Sequence, residues 1–261
     1  MKRLQQVYIA LLLMGLLGGF TQEARGQEAL PGIDAIEPKE IQIGSFFHGQ
    51  NVSVRVIIPH QSDLALRVLG PREDLKLMKK GWVGGLWMNV EQVTFEKIPN
   101  VYLLWTSPNL SAMGGKQWLQ DLKLDYLTQL SDCLPGKSLE EKKFLIQELI
   151  KLKNHDNLYN IFEGTIRNKP LEKGLEIQAE ATLHLPAKIY PGVYTLELIT
   201  FKDGKGTLLR SYPLKVQLSG FPAILFNLAT QRGLLYGVLA TAIATLSGLL
   251  IGIFFSAKGS H

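Results

Sequence analysis

The chain has 261 residues, 46% hydrophobic and 20% charged, with a single cysteine and a formal net charge of +5. This composition excludes an intrinsically disordered chain, which would be poorer in apolar residues, and it excludes a disulfide-stapled scaffold. Cys133 has no intramolecular partner, so the fold must stand without a disulfide; the thiol is either buried or pairs between chains.

The first element in chain order is a leader. Met1-Lys2-Arg3 is a short basic region, and Val7 to Phe20 is an uncharged apolar run. Small side chains at Ala24 and Gly26 suit the −3 and −1 pockets of a signal peptidase, so residues 1–26 read as a signal peptide cleaved before Gln27. The alternative is an uncleaved N-terminal anchor, although the run falls short of the roughly 20 residues that a bilayer core demands.

Residues 27–219 read as an exported β-rich domain. Ile41 and Ile43 share one parity; Val52, Val54, Val56 and Ile58 share a face opposite Ser53 and Arg55; Leu64, Leu66 and Val68 follow after a turn. This alternation predicts an antiparallel sheet with one buried face. Val83, Leu86, Val90 to Phe95 and the run Val101 to Thr106 extend the trend. Farther on, Leu175 to Leu183, Tyr194 to Thr200 and Leu208 to Leu218 alternate, with Asp203-Gly204 marking a tight hairpin. The order of strands and turns resembles the end of an immunoglobulin-like sandwich.

Between the two β regions, residues 116–162 read as a helical insertion, crossing between the sheets or packed on one edge. Ser138-Leu139-Glu140-Glu141 is a capping box, and Phe144, Leu145, Leu149 and Leu152 recur near helical spacing opposite Lys142, Lys143, Gln147 and Lys151. Leu119 to Leu130 also reads as helix. The predicted fold class is therefore mainly β, an immunoglobulin-like antiparallel sandwich with a helical insertion, plus one C-terminal transmembrane helix.

That last helix is Gly233 to Phe255, a stretch without a charged residue and long enough to cross a hydrocarbon core of about 30 Å. Gln231 and Arg232 precede it and Lys258 follows it, so the flanks barely choose an orientation. With Lys2 and Arg3 retained inside and the domain translocated, the helix must run outward to inward and leave residues 256–261 as a cytoplasmic stub. The predicted location is the cell inner membrane, single-pass, with the main domain in the periplasm. Gly237, Ala240, Ala244, Gly248 and Gly252 place small side chains along one stripe, where another helix can approach closely, or simply reflect the usual membrane-helix composition. Residues 220–232, with Phe221, Ile224, Leu225, Phe226 and Leu228, read as a helix lying in the membrane interface or as the top of a tilted span.

Several ordered motifs carry a resemblance. They are Gly70-Pro71-Arg72-Glu73-Asp74, Gly85-Leu86-Trp87-Met88-Asn89, Val93-Thr94-Phe95, Pro99-x-x-Tyr102, Leu185-Pro186-Ala187, Pro191-Gly192-x-Tyr194, Phe201-Lys202-Asp203-Gly204 and Leu235-Tyr236-Gly237. Along nearly all of the mature chain the sequence resembles a family of transmembrane proteins of uncharacterised activity found mainly in α-proteobacteria. The resemblance implies envelope topology and no reaction, and it points to sulfite-exporter-type permeases as neighbours.

Catalytic patterns are sparse. His48, His60, His155, His184 and His261 show no metal-ligand spacing, no nucleophile elbow is present, and Gly81 to Gly85 match no phosphate-cradling loop. No enzyme activity, catalytic residue, cofactor or metal is expected. The candidate contact residues are Arg72, Glu73, Asp74, Trp82, Trp87 and Asn89, in a region that also holds Trp105 and Trp118. Aromatics with polar tips and a planar guanidinium suit contact surfaces; the alternative is that Trp87 and Trp105 are core and Arg72 caps a turn. Expected partners are an integral membrane protein, or a second copy of the chain through the C-terminal helix, and membrane lipid facing the basic domain; nucleic acid is not expected outside the cytoplasm. The leading reading is an accessory or scaffold subunit docking on a membrane partner such as a permease, and the alternative is a small-anion-binding or sensing ectodomain with a cleft near Arg72.

Overall fold

Where a strand alternates and one face can be buried, the computed structural model shows that face turned to a common core. It describes residues 32–110, 120–170, 176–202 and 204–258. The expected signal segment, Trp118 and Asp203 lie outside the described residues. The strands are β1 (Gly32–Glu37), β2 (Glu40–Ile43), β3 (Gln50–Pro59), β4 (Asp63–Leu69), β5 (Arg72–Val83), β6 (Leu86–Pro99), β7 (Tyr102–Thr106), β8 (Tyr159–Phe162), β9 (Arg167–Pro170), β10 (Glu176–Leu185), β11 (Gly192–Lys202) and β12 (Lys205–Leu218). The helices are α1 (Tyr126–Leu130), α2 (Leu139–His155), α3 (Gly220–Gln231) and α4 (Gly233–Lys258).

A four-stranded sheet has the order β1-β3-β10-β9 and a six-stranded sheet the order β2-β12-β11-β4-β7-β8. Val52, Val54, Val56 and Ile58 of β3 and Ala179, Ala181 and Leu183 of β10 share one buried cluster with Leu64, Leu66 and Val68 of β4 and Leu196 and Leu198 of β11. Burying side chains of this size contributes about 1.5–3 kcal/mol each, which is why the alternation dictates which face turns inward. The chain is mainly β, with the two sheets enclosing this core.

Two features depart from a simple antiparallel sheet buried on one side. First, β12 pairs with β2 and β7 with β8 in parallel, because each partner enters its sheet from a distant part of the sequence. Second, β7 is buried throughout and β4 at every position but its ends. Their outward residues Ala65, Arg67, Tyr102 and Leu104 are covered as well. The insertion supplies the cover. Tyr102 donates its hydroxyl proton to the Leu124 carbonyl at 2.7 Å, and Tyr126 stacks on Tyr159 while leaning on Tyr102. Burial of these phenols pushes their pKa values well above the ordinary range, so they stay neutral hydrogen-bonding groups.

The insertion thus lies over the outer face of the six-stranded sheet and ends by adding β8 to its edge. Within the described part of 119–130, Gln120 and Asp121 are helical, a turn follows, and the short α1 is started by Asp125, whose side chain accepts from the Thr128 backbone at 2.9 Å. The capping box at Ser138 and Glu141 forms as expected, at 3.3 and 3.1 Å, and opens α2. Helix α2 buries Ile146, Leu149 and Lys153, while Phe144 and Leu152 stay exposed. The buried stripe is therefore rotated from the one that hydrophobicity alone selects, because a charged residue, Lys153, is drawn inward by a partner. Cys133 is buried, and desolvation pushes its thiol pKa up.

The cover is fastened at Arg67. Its Nε donates to Glu197 at 2.6 Å, and its Nη1 donates to the carbonyls of Leu122 and Lys123 at 2.8 and 2.9 Å. Replacing one member of such a pair leaves the other charge buried and unmatched. Arg67→Met should therefore lower unfolding stability by about 3 kcal/mol, and Arg67→Met with Glu197→Leu should recover much of that loss. Chemical denaturation of the detergent-solubilised chain measures both.

Candidate functional site

Strands β5 and β6 form a two-stranded sheet of their own, a hairpin that leaves the body of the domain. Its turn is Gly84-Gly85, both at positive φ (59° and 90°), the geometry that a two-residue hairpin loop requires and that glycine supplies without strain. The six candidate contact residues all lie on this hairpin, but not in one place. Arg72, Glu73 and Asp74 are at its root; Trp82, Trp87 and Asn89 are near its tip, roughly 30 Å away at about 3.3 Å per strand residue.

At the root the polar side chains are engaged within the chain. Arg72 donates to the Lys97 carbonyl at 3.0 Å, and Asp74 accepts from the Lys97 backbone N–H at 2.8 Å, fixing Lys97 at φ 51°. Glu73 pairs with Lys153 of α2 at 3.0 Å; the same ammonium donates to the Asn100 carbonyl at 3.3 Å and lies 5.7 Å from the centre of the Tyr159 ring. Tyr159 in turn donates its hydroxyl proton to the Pro99 carbonyl. Gly70 is required here because a methyl group would overlap the Asn100 side chain, whose buried Oδ1 has no hydrogen-bond partner among the described residues. Gly192 lets Pro71 approach, since a Cβ there would stand 2.7 Å from the proline Cγ. Each residue of Gly70-Pro71-Arg72-Glu73-Asp74 thus helps to fasten the hairpin to the body.

Midway, the hairpin rests on α2. A groove of about 370 Å3 between them is lined by Leu77, Met78, Val93, Phe95, Phe144 and Leu145. Lys137 pairs with Glu91 at 2.7 Å, which holds the Glu91 carboxyl below its usual pKa, and Lys79 lies 6.0 Å over the Phe144 ring.

Among the described residues, the tip is left largely uncovered. Trp82, Leu86 and Trp87 are 64%, 69% and 69% exposed, and Val83, Met88 and Val90 are about half exposed. Trp82 and Trp87 are cross-strand partners packed edge to face, with centroids 5.8 Å apart. Trp87 is therefore a surface residue, unlike Trp105, which is buried and stacked on Phe162 at 5.1 Å. The apolar run at the tip belongs to neither sheet.

A second exposed apolar surface lies in the C-terminal helices. Ser219 alone separates β12 from α3, and its N–H donates to the Ile43 carbonyl at 2.9 Å. Phe221, Ile224, Leu225 and Leu228 follow the i, i+3, i+4, i+7 spacing of one face of α3, and the first three are exposed. A break at Arg232 separates α3 from α4, whose segment Gly233–Phe255 has mean hydropathy 2.3 and no part buried against the domain. Gly237, Ala240, Ala244, Gly248 and Gly252 recur every three or four residues on α4, and a Cβ added at any of the four glycines of this helix would meet open space. Among the described residues no group of three or more His, Cys, Asp or Glu side chains is placed to hold a metal ion.

A domain of two packed sheets and a projecting hairpin, carried on one candidate C-terminal span, defines the class as a membrane-associated, mainly β protein. A family model described as "Putative transmembrane protein (Alph_Pro_TM)" matches residues 35–257, and the chain belongs to that family. No curated protein and no solved structure matches it.

Two substitutions test the root. Gly70→Ala should destabilise the whole domain by about 2 kcal/mol or more, because the overlap with Asn100 lies in a packed region; thermal unfolding reads it. Lys153→Met should act more locally, by about 1–2 kcal/mol, since it removes one charged pair and one hydrogen bond. Hydrogen exchange in 72–99 should then quicken more than exchange in β3 and β10.

Proposed function

We propose that this is a single-pass inner-membrane protein whose β domain stands in the periplasm and acts as an accessory or scaffold subunit of an integral membrane partner such as a permease. The carrying observation is the junction at Ser219. Strand β12 passes into α3 and α4 with no flexible linker, so the domain is seated at the membrane surface rather than hung from a tether. A signal segment cleaved before Gln27 delivers the domain outside, and α4 then runs outward to inward.

The partner meets α4 on the face of Gly237, Ala240, Ala244, Gly248 and Gly252. Small side chains let two helix backbones approach and gain dispersion contacts, which matters in lipid because no hydrophobic driving force separates helix from tail. The root of the hairpin is assigned no ligand in this reading, because the Arg72 guanidinium, Glu73 and Asp74 are held by Lys97 and Lys153.

Site-specific photo-crosslinkers in the native membrane provide the test. Positions Ala244 and Gly248 should give one discrete heavier adduct, positions Leu246 and Ile253 on the opposite face should not, and Gly248→Leu with Gly252→Leu should abolish it. Uniform monomer at all four positions, with both leucines tolerated, would sink the reading. Protease added to spheroplasts should digest the β domain; its protection would overturn the periplasmic orientation.

A further inference from the structure

We infer that the hairpin tip, Gly81 to Val90, is a lipid-inserting wedge that gives the domain a second hold on the bilayer carrying α4. The inference rests on the membrane association of the chain and is independent of any protein partner on α4.

The first ground is that the tip is apolar on both faces. Strand alternation puts Trp82 and Trp87 on one side, and Val83, Leu86 and Met88 on the other. All five are exposed, and the ten residues Gly81 to Val90 contain no charge. A strand destined for a protein surface needs one apolar face, and its other face meets water. Apolar side chains on both faces of a free hairpin suit a medium that surrounds it, which favours lipid over a protein partner.

The second ground is the collar. Lys79 and Lys80 stand immediately before the apolar tip and Lys76 lies farther down the same strand; Glu91, just after the tip on β6, is met by Lys79 at 3.8 Å and by Lys137 at 2.7 Å, so the collar stays net positive. Lysines below a pair of tryptophans match the layering of a bilayer surface, with anionic headgroups outside and indole rings at the interface.

The third ground is position. Leu69, at the end of β4, lies opposite Thr195 of β11, and Thr195 opposite Pro213 of β12; β12 then runs on to Leu218, Ser219 and α3. The hairpin begins three residues beyond Leu69, and Pro71 packs on Gly192, whose cross-strand partner is Val216. The hairpin root and the membrane helix therefore leave the six-stranded sheet at the same end.

Depth follows from the backbone. A two-stranded ribbon has outward N–H and C=O groups without ladder partners, and these cannot be left bare in hydrocarbon. The tip therefore inserts to the headgroup and acyl boundary, about 5–10 Å, rather than deeper.

The test uses the full chain reconstituted in vesicles of phosphatidylcholine with phosphatidylglycerol, with and without bromine on the acyl chains. Brominated lipid should quench tryptophan emission in the wild type, and the quenched component should vanish in W82F with W87F. K79Q with K80Q should reduce the quenching, and so should omission of phosphatidylglycerol. Equal quenching of wild type and W82F/W87F would overturn the wedge, since it would come from other tryptophans. Loss of quenching in native-membrane vesicles enriched in brominated lipid, with photo-crosslinks from position 87 to a membrane protein, would assign the tip to a protein partner instead. Crosslinking at Ala244 and Gly248 should be unchanged in W82F/W87F, which separates a failed wedge from a failed helix contact.

Discussion

A buried guanidinium governs how the domain is assembled. Arg67 lies on the face of β4 directed away from the core between the sheets, where an uncovered sheet would leave it in water. It is instead 7% exposed, matched by Glu197 on the neighbouring strand and by two carbonyls of the insertion. Burying one charge is tolerable only when its hydrogen-bonding capacity is filled, and Glu197 alone does not fill it. The insertion must therefore lie across this sheet, and every later element takes its place from that constraint.

From Arg67 the order of support runs outward. The covered face accepts Tyr102, Tyr126 and Tyr159 as a ring cluster, and β8 closes the edge of the sheet. This fixes the C-terminal end of α2, so that Lys153 reaches Glu73 and the Asn100 carbonyl. The hairpin is then held between α2 and the start of β11, where Pro71 meets Gly192. A feature near the surface, the orientation of β5 and β6, thus depends on a buried charge in β4.

The strands around the core were readable because they have one buried face. Val52 to Ile58 and Tyr194 to Leu198 alternate cleanly, and so do their buried side chains. Strand β5 was hidden for the opposite reason. Leu75 and Leu77 face α2, but Met78, Trp82 and Val83 obey no common face, so period two disappears and Gly70 to Asp74 reads only as a turn. The candidate residues all lie on one hairpin, yet nothing in their spacing divides root from tip; that division appears only with the partners Lys97 and Lys153, one of them 80 residues away from Glu73. Arg67 escaped notice because a charge between Leu66 and Val68 reads as a solvent-facing position, and only the insertion lying over it makes it interior. Helix α4 needed no such context, since its length and lack of charge are properties of composition alone.

The junction at Ser219 has a kinetic consequence. A domain joined to its candidate span through Ser219, α3 and the break at Arg232, with no long linker, can sweep only the patch of membrane beneath its own radius. For the membrane partner proposed above, encounter would be a two-dimensional search at high local concentration, so contacts too weak to hold two freely diffusing proteins could still hold that pair. Adding flexible residues between Leu218 and Gly220 would leave the domain's surfaces intact and yet weaken the proposed pairing, because the same surfaces would face the bilayer for less of the time.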